Sequence, residues 1–184
     1  MANKAEITQV FQFKITLKNA PLPIWRRVQM SNNANFEELH QAIQESMGWY
    51  SSHLYQFEKG RDYTIVDSKE AMQEYGDALA SKVKLATMFT ALKSKMLYTY
   101  DMGDNWEHEV VLEKILPPEV GQTYPVCIKG KGKCPPEDCG GVYGYGDLLE
   151  ILANPAHEEY ESMCEWLDIE EGSEWDPQEF DSED

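Results

Sequence analysis

The sequence predicts an α+β fold, a single domain in which a largely antiparallel sheet of hairpins packs with a few helices. In several segments apolar residues alternate with polar ones, the period expected of half-buried strands. Short turns rich in Gly, Pro, Asn and Asp join these segments in pairs, as in hairpins. Other segments space their apolar residues three and four apart, which indicates helices. Strands and helices mixed along the chain in this way are typical of the α+β class.

The first half of the chain predicts two hairpins with a helix between them. Residues 10–18, VFQFKITLK, alternate regularly, and the turn NAPLP separates them from a second strand, IWRRVQM. In NFEELHQAIQESMGW, Asn35 can cap a helix, Glu38 completes a capping box, and Gly48 can end the helix. HLYQFEK and RDYTIV follow as short strands around a turn.

The second half predicts one clear hairpin and two helices. KMLYTYD and WEHEVVLEKIL are strands joined by the turn MGDN, and YPVCI is a further short strand. GDLLEILAN predicts a helix with Asp147 as its cap and Glu150 at the capping-box position. Pro155 can start the last helix, AHEEYESMCEWL.

The chain divides by charge into two parts of one domain. The net charge is −17, but residues 158–184 hold thirteen acidic residues and no Lys or Arg. That leaves twenty acids against sixteen bases in residues 1–157. We therefore expect residues 1–157 to form the α+β core, including a helix near 147–153. Residues 158–184 would be an acidic C-terminal helix and tail, packed on the same domain or trailing from it.

Composition and charge exclude several classes of protein. No apolar run approaches the length of a membrane span, and the first residues lack the apolar core of a secretory signal, so we expect a cytoplasmic protein with no membrane partner. The acidic segment repels phosphate backbones, which argues against general nucleic-acid binding. Trp25, Arg26 and Arg27 form the one Arg–aromatic cluster, but alternation places Arg26 on the opposite face from the other two. We expect Trp25 to pack under the sheet.

Several motifs, taken in order, resemble one known family. They are PIWRR, LHQAIQESMGW, SHLYQF, YTYDMGDNWEHEVVLEK, YPVCIKGKGKCPPEDCGG, GYGDLLEILANPAH and DPQEFD. Their order is similar to that of the plasmid pRiA4b ORF-3-like proteins, which occur on plasmids, mobile elements and chromosomes. The resemblance extends from about residue 10 to residue 181 and implies a compact α+β fold. It implies no particular activity or substrate.

A cluster of cysteines raises the possibility of a zinc site. Cys127, Cys134 and Cys139 have the spacing C-x6-C-x4-C, which differs from the two close pairs of a zinc knuckle. A closed tetrahedral site needs a fourth ligand, which His53 or His108 would supply from elsewhere in the chain. Small residues that shape a loop are the alternative interpretation of these cysteines, so zinc is a possible cofactor only.

Acidic residues around the central hairpin suggest a catalytic site. YDMGDNWEHE supplies Asp101, Asp104 and His108, and CPPED adds Glu137 and Asp138 if its loop folds over the hairpin. Oxygen and imidazole ligands around an open position are what a hydrolytic metal centre requires. The alternative is structural, because Asp104 in a turn commonly bonds its own backbone and a strand histidine commonly packs in the core.

Two functions of different class follow from these residues. The first is a non-catalytic module that binds another protein, since no catalytic motif of strong spacing is present and the chain combines an acidic end with an aromatic-rich body. The second is a metal-dependent hydrolase that uses Asp101, Asp104 and His108 with the CPPED loop.

Overall fold

The computed structural model describes residues 7–170 and 172–181, and it confirms the α+β class. The strands of the described residues are β1 (Val10–Leu17), β2 (Trp25–Ser31), β3 (Tyr55–Glu58), β4 (Thr64–Val66), β5 (Ala78–Leu79), β6 (Lys95–Tyr100), β7 (Trp106–Leu116) and β8 (Val126–Lys131). The helices are α1 (Phe36–Met47), α2 (Lys69–Glu74), α3 (Leu85–Met88), α4 (Gly141–Leu152) and α5 (Tyr160–Trp166), with a 3-10 turn at Ala80–Lys82.

All the strands belong to one sheet, in the order β5-β4-β3-β6-β7-β1-β2-β8. Neighbouring strands are antiparallel except β4 and β5, which are parallel. Tyr100 at the end of β6 lies opposite both Tyr55 of β3 and Trp106 of β7. The loop that enters β3 and the loop that joins β6 to β7 therefore meet at the same edge of the sheet.

The core lies between α1 and one face of the sheet. Phe36 of α1 packs edge-on against Phe57 of β3 with ring centroids 5.0 Å apart, and Phe13 of β1 packs against Phe89 at 4.7 Å. These four rings are essentially inaccessible to solvent. Each buried side chain of this size stabilises the fold by about 1.5–3 kcal/mol relative to its exposed state. The capping box of Asn35 and Glu38 forms as expected, and Gly48 ends α1 in the left-handed conformation.

The opposite face of the central strands is polar, and Trp25 lies there rather than under the sheet. Arg27 makes a two-pronged ion pair with Glu113, at 2.7 and 2.9 Å, and Trp25 is half-buried beneath the Arg27 guanidinium. It is Arg26 that faces the interior, because it shares its side of β2 with buried Val28. The expectation for Trp25 was wrong because alternation shows that Trp25 and Arg27 share a face of the sheet but not which face is buried.

The two C-terminal helices begin at residues other than those predicted. Helix α4 starts at Gly141, six residues before Asp147, because Tyr145 in its first turns is buried in the core. Helix α5 starts at Tyr160, and the residues before it form turns in which the Asn154 side chain accepts from the backbone of Ala156. Such side-chain bonds compete with helix formation. None of the helices in the described residues is both long and apolar enough to cross a membrane.

Candidate metal centre

His53 lies in the loop between α1 and β3, and this loop is fixed through its backbone. The amide of Ser51 donates to Oε1 of Gln44 in α1 at 2.8 Å. The amide of Ser52 donates to the hydroxyl of Tyr100 at the end of β6 at 3.0 Å. These bonds hold the His53 ring over the edge of the sheet.

Asp101 follows β6 directly and takes up the left-handed conformation, with φ +60°. Asp is one of the few residues that tolerate this region. Its amide donates to the carbonyl of Leu54 at 2.9 Å, which ties the two loops together. Its Oδ1 accepts the amides of Gly103 and Asp104, at 2.8 and 3.3 Å. Oδ2 remains directed at His53, 3.5 Å from Nε2.

The CPPED loop folds over the same edge of the sheet. The indole of Trp49 donates to the carbonyl of Pro135 at 2.9 Å, and the amide of Gly140 donates to Oδ2 of Asp104 at 3.1 Å. Gly141 approaches the carbonyl of Asp104 so closely that no Cβ would fit. The loop and the hairpin turn are thus in direct contact, and Asp104 joins them.

The two acids of this loop point toward His53. Oε1 of Glu137 accepts from the amide of Tyr50 at 2.8 Å and from the hydroxyl of Tyr100 at 2.9 Å. Its Oε2 lies 3.6 Å from Nε2 of His53. Oδ1 of Asp138 lies closer, at 2.9 Å.

His53, Asp101 and Asp138 lie close enough together that they could hold a metal ion. One ligand atom from each lies within 4.8 Å of the other two. Nε2 of His53 is shielded from solvent and has no hydrogen bond of acceptable geometry, even to the nearby oxygen of Asp138. The Asp101 side chain is 10% exposed and that of Asp138 is 67% exposed, so the group opens to solvent on one side. Imidazole and carboxylate ligands of this kind suit Zn²⁺, Mn²⁺ or Fe²⁺.

His108 lies in the core, away from this group. Its ring is fully buried and contacts Trp49 and Tyr98, with centroids 5.3 and 5.2 Å away. Burial lowers the pKa of His108 to about 4, and backbone groups of Tyr98 and Trp106 offset this only in part. Among the described residues, the three-residue group that could hold a metal does not include His108 or Asp104.

The cysteines of the loop do not converge with His53 in the part of the chain that the structure describes. Burial raises the pKa of Cys134 and of Cys127 above the ordinary thiol value, and it raises the pKa of Cys139 to about 12. A raised pKa disfavours the thiolate form that a metal ligand needs, which favours the interpretation of these cysteines as small packing residues of the loop. The structure groups His53 with carboxylates instead.

Two cavities adjoin the group. The first, which we call the α1 cavity, has a volume of about 530 Å³ and is lined mainly by Glu37, His40, Ser51, His53, Tyr55 and Asp67. The second has a volume of about 470 Å³ and lies between α4 and α5, beside Asp138, Asp147 and Glu159. The described residues that line the two cavities include acids but no Lys or Arg.

Sequence reasoning named His53 only as a partner for the cysteines and did not name Tyr50 or Tyr100. The missing information was the strand order. Because β3 pairs with β6, with Tyr55 opposite Tyr100, the residues just before β3 lie beside Asp101. The motif SHLYQF contained the histidine, but no local pattern indicates which distant strand it pairs with.

Comparison with known proteins places the chain in a family. The family model described as "Plasmid pRiA4b ORF-3-like protein" matches residues 9–184. An uncharacterized protein of Sinorhizobium fredii, y4hQ, is 38% identical over 166 residues, which cover 87% of this chain and 81% of that protein. The crystal structure of MM3350 from Methanosarcina mazei Go1, a protein of unknown function, is similar with a TM-score of 0.83 and 37% identity, covering 97% and 98% of the two chains. The chain belongs to the plasmid pRiA4b ORF-3-like family.

Proposed function

We propose that this protein is a metal-dependent hydrolase whose divalent ion is bound by His53, Asp101 and Asp138. The observation that carries the proposal is the buried Nε2 of His53, which faces carboxylate oxygens of all three neighbouring acids without a hydrogen bond. Carboxylates gathered this closely repel one another, and a bound divalent ion would offset that repulsion.

Three protein ligands leave coordination positions for water, as in catalytic rather than structural zinc sites. A metal ion in such a site lowers the pKa of its bound water to about 7. Oε1 of Glu137 is held by Tyr50 and Tyr100, while Oε2 faces the same space as the ligands. A bound ion would supply an activated water for attack on an electrophilic carbon. Oε2 of Glu137 would serve as the general base, taking a proton from that water and returning it to the leaving group as the bond to the carbon breaks.

The test is metal affinity, measured by calorimetric titration of Mn²⁺ and Zn²⁺ into chelator-treated protein. We expect the wild-type chain to bind one equivalent and His53→Ala and Asp101→Asn to lose this binding. Asn tolerates the left-handed conformation of position 101, so the second variant keeps the backbone. His157→Ala, in the turn before α5, is the matched control. Equal affinity in wild type and His53→Ala would refute the metal site.

A second pair of variants tests the role of the Tyr100 hydroxyl. Tyr100→Phe removes a hydroxyl that donates to Glu137 and accepts from the amide of Ser52 in the His53 loop, and loss of such an outer partner lowers metal affinity about 10–100-fold. Tyr98→Phe removes a buried hydroxyl that bonds His40 and Gln44 instead, so its affinity should stay at the wild-type value.

A protein-interaction module is the second candidate, supported by exposed aromatic side chains. Tyr50 is 85% and Trp166 is 49% exposed, and both line the surface next to the CPPED loop. This function predicts that one identified partner co-purifies with wild type and with His53→Ala but not with Trp166→Ser. A partner retained by Trp166→Ser, or by a chain lacking residues 158–184, would count against the role of this surface or of the acidic segment respectively.

A further inference from the structure

Arg26 is a buried cation that takes no part in the proposed metal centre. It lies on β2 and is 2% exposed. Its Nε donates to the carbonyl of Ser46 in the last turn of α1 at 2.6 Å. Its Nη1 donates to the carbonyls of Trp25 and Lys131, at 3.0 and 3.1 Å. These three carbonyls fix the guanidinium in place, but they are neutral groups and do not cancel its charge.

No acid of the described residues forms an ion pair with Arg26. Burial lowers the pKa of Arg26 below its ordinary value, and the groups that oppose this effect are the thiols of Cys134 and Cys127 rather than carboxylates. A guanidinium nevertheless stays charged in a protein. Buried charges are normally paired, so this one calls for an anion.

The remaining nitrogen of the guanidinium reaches a cavity. Nη2 makes no hydrogen bond to the part of the chain that the structure describes. It is also absent from the unpartnered side-chain atoms that are shielded from solvent, so it is accessible. Arg26 lines a cavity of about 640 Å³ between the end of α1, the CPPED loop and the C-terminal segment, which we call the C-terminal cavity. An anion in this cavity can therefore accept a hydrogen bond from Nη2.

The walls of the C-terminal cavity favour an anion with a single charge and an aromatic body. Tyr50 and Trp166 line it with exposed rings, and such rings stack on flat ligands. Lys133 lines it as well but already pairs with Glu179, which leaves Arg26 as the unpaired cation among the described lining residues. One negative charge is enough to neutralise it. A dianion would be repelled by the acids of the rim, which include Glu179.

We propose that the C-terminal cavity binds a carboxylate carried on an aromatic body, with Nη2 of Arg26 as the donor and the rings of Tyr50 and Trp166 as the stacking surface. Binding of the carboxylate does not require the metal ion. Glu137 lines the same cavity, so the ligand lies beside the metal centre. Its role as the substrate there rests on the function proposed above. A free aromatic acid and the C-terminus of a peptide share this chemistry, and the experiment separates them.

The probes are indole-3-propionate for the free acid and N-acetyl-tryptophan for the peptide C-terminus. Their binding is measured by NMR titration of isotope-labelled protein in chelator. We expect at least one probe to shift the Nε–H signal of Arg26 and the amide signal of Lys133. N-acetyl-tryptophanamide lacks only the charge and should cause no shift. Binding of N-acetyl-tryptophan alone would identify a peptide C-terminus, and binding of indole-3-propionate would identify a free acid.

A matched pair of variants tests the donor. Arg26→Lys keeps a positive charge but removes Nη2, and it should weaken binding by about tenfold or more because a charge-assisted hydrogen bond is lost. Arg27→Lys changes the next arginine, which lies on the opposite face of β2 and binds Glu113, and it should keep the wild-type affinity. If Arg26→Lys does not fold, Trp166→Ser decides the question. This change on an exposed side chain should weaken binding about threefold to tenfold through loss of stacking.

Binding of neither acid to the wild-type chain, equal binding of N-acetyl-tryptophan and its amide, or equal losses in Arg26→Lys and Arg27→Lys would overturn the proposal. Wild-type affinity in Trp166→Ser would overturn the assigned stacking surface. Phenyl phosphate that binds more tightly than both acids would also overturn the proposal, because the site would then be one for dianions. His53→Ala should keep carboxylate binding in chelator, so failure of the metal site is distinguishable from failure of this one.

Discussion

Two acids of the proposed metal centre, Asp101 and Glu137, divide their oxygens between structure and site. Asp101 uses Oδ1 to hold its own turn and leaves Oδ2 for His53, and Glu137 uses Oε1 for Tyr50 and Tyr100 and leaves Oε2. The carboxylates are thus oriented before any ligand arrives. Fixed ligands lose little conformational entropy on binding, and this lowers the cost of forming a metal site.

The two buried histidines make stability depend on pH. Burial lowers the pKa of His40 and of His108 to about 4, from an ordinary value of 6.5. Between these values the unfolded chain binds more protons than the folded one, so stability is fully present above pH 6.5 and falls as the pH drops toward 4. We expect each histidine to contribute a slope of about 1.4 kcal/mol per pH unit in the free energy of unfolding.

Urea denaturation between pH 5 and 6.5 measures this slope. The window stays above 4.5, the ordinary pKa of Glu113, whose pKa is lowered by its hydrogen bond to Arg27 and whose stabilising effect is lost only at lower pH. His108→Leu fills the core position with an apolar side chain. It should lower the slope of the free energy of unfolding against pH by about 1.4 kcal/mol per pH unit, and His157→Ala should leave that slope unchanged. An unchanged slope in His108→Leu would mean that His108 already binds a proton in the folded state.

Asp101, Glu137 and Asp138 could be identified from the sequence as candidate site residues, and in the structure all three lie near His53. The sequence could not separate the roles of Asp104 and His108. Asp104 accepts a hydrogen bond from the loop through its Oδ2, whereas His108 shares the core side of β7 with Trp106. The apolar neighbours of His108 did indicate burial, but the same pattern is compatible with a histidine lining a pocket.

Among the elements, the junction of the β6–β7 turn with the start of α4 determines where the acids lie. Gly141 has φ +71° and sits against the carbonyl of Asp104, at the point where the CPPED loop becomes α4. Gly146 lies within the same helix, and a Cβ there would meet no atom. The two glycines therefore offer a matched pair of substitutions.

Gly141→Ala should destabilise the protein by about 1–3 kcal/mol, because alanine is strained at positive φ and its Cβ would overlap Asp104. Gly146→Ala should stabilise it by about 0.5–1 kcal/mol, since alanine is the better helix former. Urea denaturation gives both values. Gly141→Ala should also weaken metal affinity because it displaces Asp138 from His53. Similar effects of the two substitutions would contradict the close junction described here.

Most of the strands and α1 could be predicted from the sequence because their patterns are local: alternation in β1 and β7, and a capping box and terminal glycine around α1. The two-residue strand β5 has no such pattern and was not predicted. The start of α4 could not, because GVYGYG has little helix propensity and is helical through the burial of Tyr145. The strand order depends on pairing between distant segments. No local pattern encodes the position of β3 beside β6, and the proposed metal centre depends on that pairing.

Over the whole molecule, charge alone would keep the acidic C-terminal segment away from a body that is itself net negative. Residues 172–181 nonetheless pack against that body. Phe180 lies under the guanidinium of buried Arg26, 4.3 Å from ring centroid to Cζ, and Trp175 lies under the ammonium group of Lys133 at 4.5 Å. The amide of Lys133 donates to the carbonyl of Pro177 at 2.9 Å. The cation–π contacts of Phe180 and Trp175 thus offset the charge repulsion between the segment and the body.

Phe180→Ala tests whether these anchors hold the segment. We expect a loss of about 1–2 kcal/mol in the free energy of unfolding, because the substitution removes the ring that covers Arg26 and packs against Gly130. Hydrogen exchange gives a local measure: the Lys133 amide should exchange faster once its bond to Pro177 is released.

Glu179→Gln is the control for charge. It removes only the ion pair with Lys133, with its nitrogen and oxygen 2.6 Å apart at the surface, and such pairs contribute about 0–1 kcal/mol. Salt screens an exposed ion pair but not a buried aromatic contact, so at 1 M NaCl the Phe180→Ala effect should persist and the Glu179→Gln effect should vanish. If Lys133 exchanges at the wild-type rate in Phe180→Ala, the segment is held by its charges or by Trp175 alone, and Phe180 is not an anchor.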